Sequence, residues 1–257
     1  MQERKSVAWA SLLHDAVNKP GVLSAAYSTF HNYSIGNQML AWSQLKGRGL
    51  DLSPIATYKT WQSLGRQVKK GEKALSLVMP VTINKKDDAG EKTGDCFQAF
   101  VLKNNWFALS QTEGEEFKHE KANSDWDKTR ALETLGITEI RFDLADGNCQ
   151  GYAKDKSIAV SPIAALPHKT RFHELAHVVL GHTGESVMQD DERTPRDIRE
   201  VEAESVAYIC CSVLDLPGLV ESRGYIQSWL AGNEVTDKSA QKIFGAAEKI
   251  LKAGKAA

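Results

Sequence analysis

TRFHELAHVVLGHTG, residues 170–184, sets two histidines four positions apart with a glutamate directly after the first. On a helix His173 and His177 lie on one side, and Glu174 beside them can reach whatever is held between the two imidazoles. Phe172, Ala176, Val179 and Leu180 offer an apolar back for anchoring, and Gly181 and Gly184 can end the helix. Random placement of the chain's 7 histidines and 18 glutamates gives His-Glu-x-x-His about 0.013 times in 257 residues, so the pattern outweighs incidental helix histidines. Two imidazoles fill two positions of a tetrahedral zinc site and leave room for a third protein ligand and a water.

Spacing sorts the sources of that third ligand. The elongated metzincin motif HExxHxxGxxH needs a glycine at 180, where the chain has Leu180, so that class is disfavoured and His182 is not its third histidine. Asp190 and Asp191 sit in a polar loop and read as solvent-exposed. The following segment, TPRDIREVEAESVAYICCSVLDL (194–216), reads as a helix: Thr194 caps it, Pro195 suits its first turn, Asp197 favours its N-terminus and Pro217-Gly218 stops it. Glu200 and Glu204 share one face of that helix, and Glu202 is expected to point away. The run from Glu200 to Glu204 is similar to the E-x-x-A-D helix of gluzincins. Carried over, that resemblance implies Glu200 as the metal ligand and Glu204 as the carboxylate that steadies a ligand histidine, while the spacing alone allows the opposite order. Glu174 is then the general base of a peptide hydrolysis. The strand KSIAVSP (156–162) is a candidate for docking an extended peptide, and Tyr152 for oxyanion support or, equally, a structural tyrosine.

At 257 residues the chain can hold two modest cores, and no stretch approaches the roughly 18 apolar residues of a membrane span. The N-terminus lacks the uninterrupted apolar run of a secretory signal, and Cys96, Cys149, Cys210 and Cys211 form no CxxC pair. A soluble, cytoplasmic protein with free thiols is expected. A net charge of -1 conceals an asymmetry, since residues 1–110 carry 14 Lys+Arg against 8 Asp+Glu. The N-terminal part therefore suits a polyanion.

Helical periodicity over residues 6–46 gives way to two β-like runs, 74–83 and 96–109, separated by the polar turn NKKDDAGEKTGD. A charged stretch at 111–130 lacks any long apolar run, and beyond it come two strand-like runs and three helical segments. The fold class is α+β, with a domain over 1–115, a linker over 116–130 and a second domain over 131–257. The Ala/Lys-rich tail AAEKILKAGKAA is expected to fray.

Residues 46–73 hold seven Lys+Arg against two acids, with Tyr58 and Trp61 interleaved. Cations for phosphates and flat rings for unpaired bases are what single-stranded nucleic acid requires, which makes Tyr58, Lys59, Trp61, Arg66, Lys69 and Lys70 candidate DNA contacts. A solvated lysine face around a core tryptophan is the competing reading.

The run YSIGNQMLAWSQLKGRGLDLSPIATYKTWQSLGRQVKKGEKALSLVMPV (33–81), with FALSQTEG (107–114), resembles the N-terminal domain of ArdC-type antirestriction proteins of conjugative plasmids. The matching positions are Tyr33, Ser34, Asn37, Tyr58, Lys59, Trp61, Gly65, Val68, Lys69, Lys70, Gly71, Glu72 and Lys73. The resemblance implies an N-terminal domain that binds single-stranded DNA and a C-terminal zincin-like metallopeptidase domain with one bound zinc or other divalent ion, together protecting incoming plasmid DNA from restriction. Gly71-Glu72 reads as a turn into the next strand and hence as architectural. Two rivals stand beside this expectation: a regulatory metalloprotease that cleaves a repressor or restriction subunit, and a DNA-coating protein whose metal site is structural.

Overall fold

The computed structural model describes residues 7–86, 92–119, 125–144, 149–184, 195–230 and 235–255. In chain order these form α1 (Trp9–Asn18), α2 (Val22–Phe30), α3 (Ile35–Gly47), β1 (Ile55–Thr57), α4 (Tyr58–Ser63), β2 (Arg66–Val68), β3 (Leu75–Lys86), β4 (Lys92–Ala108), a 3-10 turn (Leu109–Gln111) and β5 (Thr112–Gly114). After these come α5 (Lys128–Leu135), β6 (Thr138–Glu139), β7 (Gly151–Lys154), β8 (Ser157–Val160), α6 (Pro167–Val179), α7 (Arg196–Val213), α8 (Leu219–Leu230) and α9 (Asp237–Gly254). The fold is mixed α+β, as the sequence predicts.

Two compact units divide the chain differently from the sequence-predicted boundaries. Residues 37–119 form one, and residues 8–36 join 125–255 in the other. The reason is the apolar stripe of α1 and α2: Leu12, Leu13, Val17, Leu23 and Phe30 are buried, and the two helices pack on α7, α8 and α9. Periodicity announces that a helix buries a face but not which partner covers it.

In the first unit β1, β4 and β3 form an antiparallel sheet in that order, and β2 pairs with β5. Leu75, Leu77, Trp106 and Ala108 supply its buried face. The edge of β3 is covered by side chains of α3 rather than by another strand. Asn37 donates to the Val78 carbonyl and accepts from the Val78 N–H, both at 2.9 Å, and Gln44 does the same for Ser76, both at 2.8 Å. Two amides seven residues apart, on one helix face, thus mimic the missing strand and satisfy backbone groups that would otherwise lack partners. Gln111 locks the Gly71-Glu72 turn in a related way: its amide donates to the Glu72 carboxylate and the Lys73 carbonyl while its oxygen accepts from Ala108 N–H. That turn is architectural, as read from the sequence.

In the second unit β6, β8 and β7 form a small sheet with β8 in the middle, parallel to β6 and antiparallel to β7. In the first strand-like run after the linker, Thr138–Glu139 is the strand among the described residues. α6 and α7 pack against each other beside this sheet. Phe172, Leu175 and Ala176 anchor α6, with Trp126 edge-on to Phe172 at 4.8 Å. Residues 201–213 of α7 are all buried. Thr194, the predicted cap of α7, lies outside the described residues, as do Asp190 and Asp191, and Pro195 stands at the N-cap position. The tail does not fray where described: Ile250, Leu251 and Ala253 are buried on α9, which runs to Gly254. Among the described residues no helix is long and apolar enough to cross a membrane, and the four cysteines are unpaired.

Replacing Asn37 with Ala leaves the Val78 N–H and carbonyl without their partner. The expected loss is about 1–3 kcal/mol in urea-denaturation stability; an unchanged midpoint would show that the edge of β3 needs no cover.

Candidate metal centre

α6 begins with Pro167 in its first turn and presents His173 and His177 on the side facing α7. Their Nε2 atoms stand 3.1 Å apart. From α7, Glu200 Oε2 lies 3.4 Å from His173 Nε2 and 3.7 Å from His177 Nε2. The donor atoms of these three residues all fall within 4.8 Å of one another. Ligands about 2.0–2.1 Å from a tetrahedral zinc are separated by about 3.3–3.4 Å, so the three separations match the edges of such a tetrahedron. Two imidazoles and one carboxylate are also a fitting donor set for a divalent transition metal with open positions. Of the two glutamates left open by spacing, Glu200 is the one aimed at the shared point.

Glu204 stands behind His173, its Oε2 3.0 Å from Nδ1, and its other oxygen pairs with Lys169 Nζ at 2.7 Å. Burial alone would raise the Glu204 carboxyl, but the bonds from His173, Lys169 and Ser222 bring it down to about 2. Glu200 is held far below the usual carboxylate range by its hydrogen bonds with His173 and His177. Burial pulls His173 toward neutrality, yet the carboxylates of Glu200 and Glu204 outweigh it and push the ring up to about 9. Glu174 is buried and its carboxyl is raised by that burial, with His173 and His177 opposing. A carboxylate raised by burial beside two histidines is suited to taking up and releasing a proton.

Glu202 does not point away from the centre. It is buried, and its Oε2 lies 3.0 Å from His182 Nε2, while Ser239 donates to its other oxygen. His182 in turn lies 3.1 Å from His177, Nδ1 to Nδ1. A buried carboxylate needs such partners, which the helical wheel does not reveal. Tyr152 is not aimed at the centre, because its hydroxyl donates to Asp143 at 2.8 Å. A cleft of about 250 Å³ beside the histidines is lined instead by Lys169, His173, Glu200, Glu204, Glu221 and Tyr225. β8 is not an open edge for a peptide, since β6 and β7 occupy both its sides. The edge strands are β6 and β7, and on β7 Gly151 passes so close to α6 that a Cβ would meet Thr170 Cγ2 at 2.6 Å and Glu174 Oε1 at 3.1 Å.

The DNA candidates fall into two groups. Trp61 is 1 % exposed, donates to the Phe107 carbonyl at 2.8 Å and stands edge-on to Phe117. It is a core residue, and the stacking role read for it is corrected. Arg66 folds its guanidinium onto Thr112, Gly114 and Glu115 of its own unit, so it braces β5 rather than presenting a cation. Lys59, Lys69 and Lys70 are exposed, Lys69 donating to the Ser110 carbonyl at 3.0 Å. Tyr58 is 38 % exposed, with its ring near Phe107.

Fold and site together define a mixed α+β protein of two units, one of which carries a histidine–histidine–glutamate centre on an HExxH helix. Residues 4–124 match the family of the N-terminal domain of anti-restriction factor ArdC. The chain is also similar to the solved antirestriction ArdC protein of plasmid R388. The metal-free form is 23% identical over 95% of this chain and 94% of that one, with a TM-score of 0.52. The Mn(II)-bound form is 22% identical over 96% and 93%, with a TM-score of 0.53. No curated protein matches the chain.

Two of the shifted groups, His173 and Glu204, fix the sign of a pH dependence. His173, raised from 6.5 to about 9, stabilises the metal-free fold fully below pH 6.5, and that contribution is lost as pH rises through 9. Glu204, lowered from 4.5 to about 2, contributes above pH 4.5 and loses its effect as pH falls toward 2. The metal-free protein should therefore lose stability on both sides of the window from 4.5 to 6.5. Replacing His173 with Gln should remove the alkaline fall, on the order of 1–3 kcal/mol. Urea titrations across pH check this, and an alkaline fall that persists in His173→Gln would contradict it.

Proposed function

We propose that this chain is a cytoplasmic antirestriction protein that binds single-stranded DNA through its N-terminal domain and carries a gluzincin-like metallopeptidase centre. In this reading it protects incoming plasmid or mobile-element DNA. The observation that carries the proposal is the ArdC N-terminal domain over residues 4–124. The domain division at 1–115, 116–130 and 131–257 is kept as a proposal about function, with DNA contacts before about residue 115.

His173, His177 and Glu200 would hold one divalent ion, zinc or manganese, the latter being the ion of the R388 protein's second structure. Such an ion, when bound, polarises a carbonyl and acidifies a water. The chain's own residues supply the rest. Glu174, desolvated beside both histidines, accepts a proton at its carboxylate and returns it to the leaving group. The β7 edge next to Glu174 supports extended docking of a peptide, and Tyr225 on the cleft wall is placed to steady a developing negative charge. Glu204 with Lys169 orients His173. The buried, protonatable Glu174 favours this reading over a purely structural ion, which needs no base.

On the DNA side, Lys59, Lys69 and Lys70 would meet phosphates and Tyr58 would offer its ring to a base. Affinity for a single-stranded oligonucleotide should then fall with salt at a log-log slope of roughly -0.7 per phosphate contacted, and duplex should bind more weakly. The Lys69→Ala/Lys70→Ala pair should flatten that slope, and Tyr58→Ala should weaken binding without altering it. Trp61→Ala should instead cost about 3–5 kcal/mol of stability. Fluorescence anisotropy over a salt series reads all three; salt-independent binding, or equal competition by duplex, would overturn the assignment. Glu174→Gln should keep DNA binding and lose protection of transferred DNA in a restricting host. Full protection by that variant would refute a catalytic centre.

A further inference from the structure

His182 stands five residues after His177 in a turn that the sequence alone makes look like a failed motif. α6 ends with Leu180 as its C-cap, and Gly181 follows at φ 76°. Gly181 N–H donates to the Val178 carbonyl at 3.1 Å, and His182 N–H donates to the His177 carbonyl at 2.8 Å. These are the two bonds of a Schellman turn, which requires the left-handed conformation that glycine adopts without strain. The turn reverses the chain and lays the His182 ring beside the His177 ring, centroids 5.2 Å apart. The glycine that comes one residue too late for a metzincin is the residue that makes this reversal.

The segment is held from both sides. Arg199 of α7 donates to the His182 carbonyl at 3.2 Å, and the Thr183 hydroxyl donates to the Asp155 carbonyl at 2.7 Å. The His182 and Glu202 side chains are 6% and 4% exposed, so no water competes for their bonds. A chain of hydrogen bonds runs from Ser239 through Glu202 and His182 to His177.

The direction of that chain follows from what each group can do. An ionised carboxylate only accepts, so the His182 nitrogen at 3.0 Å from Glu202, Nε2, carries the hydrogen. In a neutral imidazole the other nitrogen then has the lone pair, so His182 Nδ1 accepts. Its partner 3.1 Å away, His177 Nδ1, must donate. His177 is left with its lone pair on Nε2, the atom that faces His173 Nε2 and Glu200. We propose that His182, placed by the Gly181 turn and backed by Glu202, is a positioning residue that fixes the tautomer and ring angle of His177 for metal binding.

The proposal rests on the reading of His173, His177 and Glu200 as the metal ligands, and it gives the two ligand histidines different supports. His173 is backed by a carboxylate that is itself paired with a lysine, Glu204 with Lys169. His177 is backed by a second imidazole, with the carboxylate one step further away. Partners behind a ligand histidine typically contribute 10–100-fold in metal affinity.

The test uses the full-length chain. Long-range 1H–15N spectra of the metal-free, histidine-labelled protein should show His177 protonated at Nδ1 and unprotonated at Nε2; the opposite tautomer overturns the proposal. Zinc affinity, measured by competition with a chromophoric chelator, should fall about 10–100-fold in His182→Phe. His182→Gln, whose amide oxygen can accept from His177 Nδ1, should recover most of that loss. A folded His182→Phe protein with wild-type zinc affinity also overturns it. If His182→Phe does not fold, the wild-type spectrum and Glu202→Leu decide by the same criteria. Failure of the wild-type chain to bind zinc or manganese would instead remove the metal reading, while the tautomer measurement still reports on the hydrogen-bond chain by itself.

Discussion

Two imidazole nitrogens 3.1 Å apart, each with another nitrogen bonded behind it, cannot face each other with only lone pairs between them. Something positive must occupy the gap, either a proton or a metal ion. In the metal-free protein a proton on His173 meets that need below about pH 9, held there against burial by the carboxylates of Glu200 and Glu204. A cation entering the site takes the place of that proton, so binding and deprotonation are one event. Glu200 serves both states, as acceptor for the protonated ring and as third donor for an ion.

This constraint reaches far into the second unit. Holding Glu200 against His173 and His177 requires α6 to keep its register against α7, and the lock is electrostatic as much as apolar. Three carboxylates of α7 each have their own set of partners: Glu200 His173 and His177, Glu204 His173 and Lys169, and Glu202 His182 and Ser239. Buried carboxylates are tolerated only with such partners. The Phe172, Leu175 and Ala176 face of α6 supplies the burial that keeps the helix in place while its other side carries the chemistry.

The centre was legible to unequal depth. His173, Glu174 and His177 are local in sequence; helical spacing brings Glu200 and Glu204 to one face once a second helix is expected, and only the gluzincin resemblance puts Glu200 first. His182 and Glu202 escaped because their roles depend on a chain reversal at a helix end and on packing between two helices, neither of which a periodicity shows. A signal was present in the Gly181-His182 pair, since glycine directly past a helix is the usual mark of a Schellman turn. In the N-terminal unit the opposite error arose. Trp61 and Arg66 read as DNA contacts by type and neighbourhood, but composition does not say which way a ring or a guanidinium points, and both are spent inside the unit. Asn37, by contrast, fits its motif for a reason of its own, since an amide is the side chain that can both donate to and accept from one residue of an unpaired strand.

The central claim is that His173, His177 and Glu200 bind one divalent ion, and metal content of the purified, reconstituted full-length chain by mass spectrometry tests it most directly. The account predicts one zinc or manganese per chain in the wild-type protein and none in the His173→Ala/His177→Ala variant. A folded double variant that retains a full equivalent of metal would contradict it.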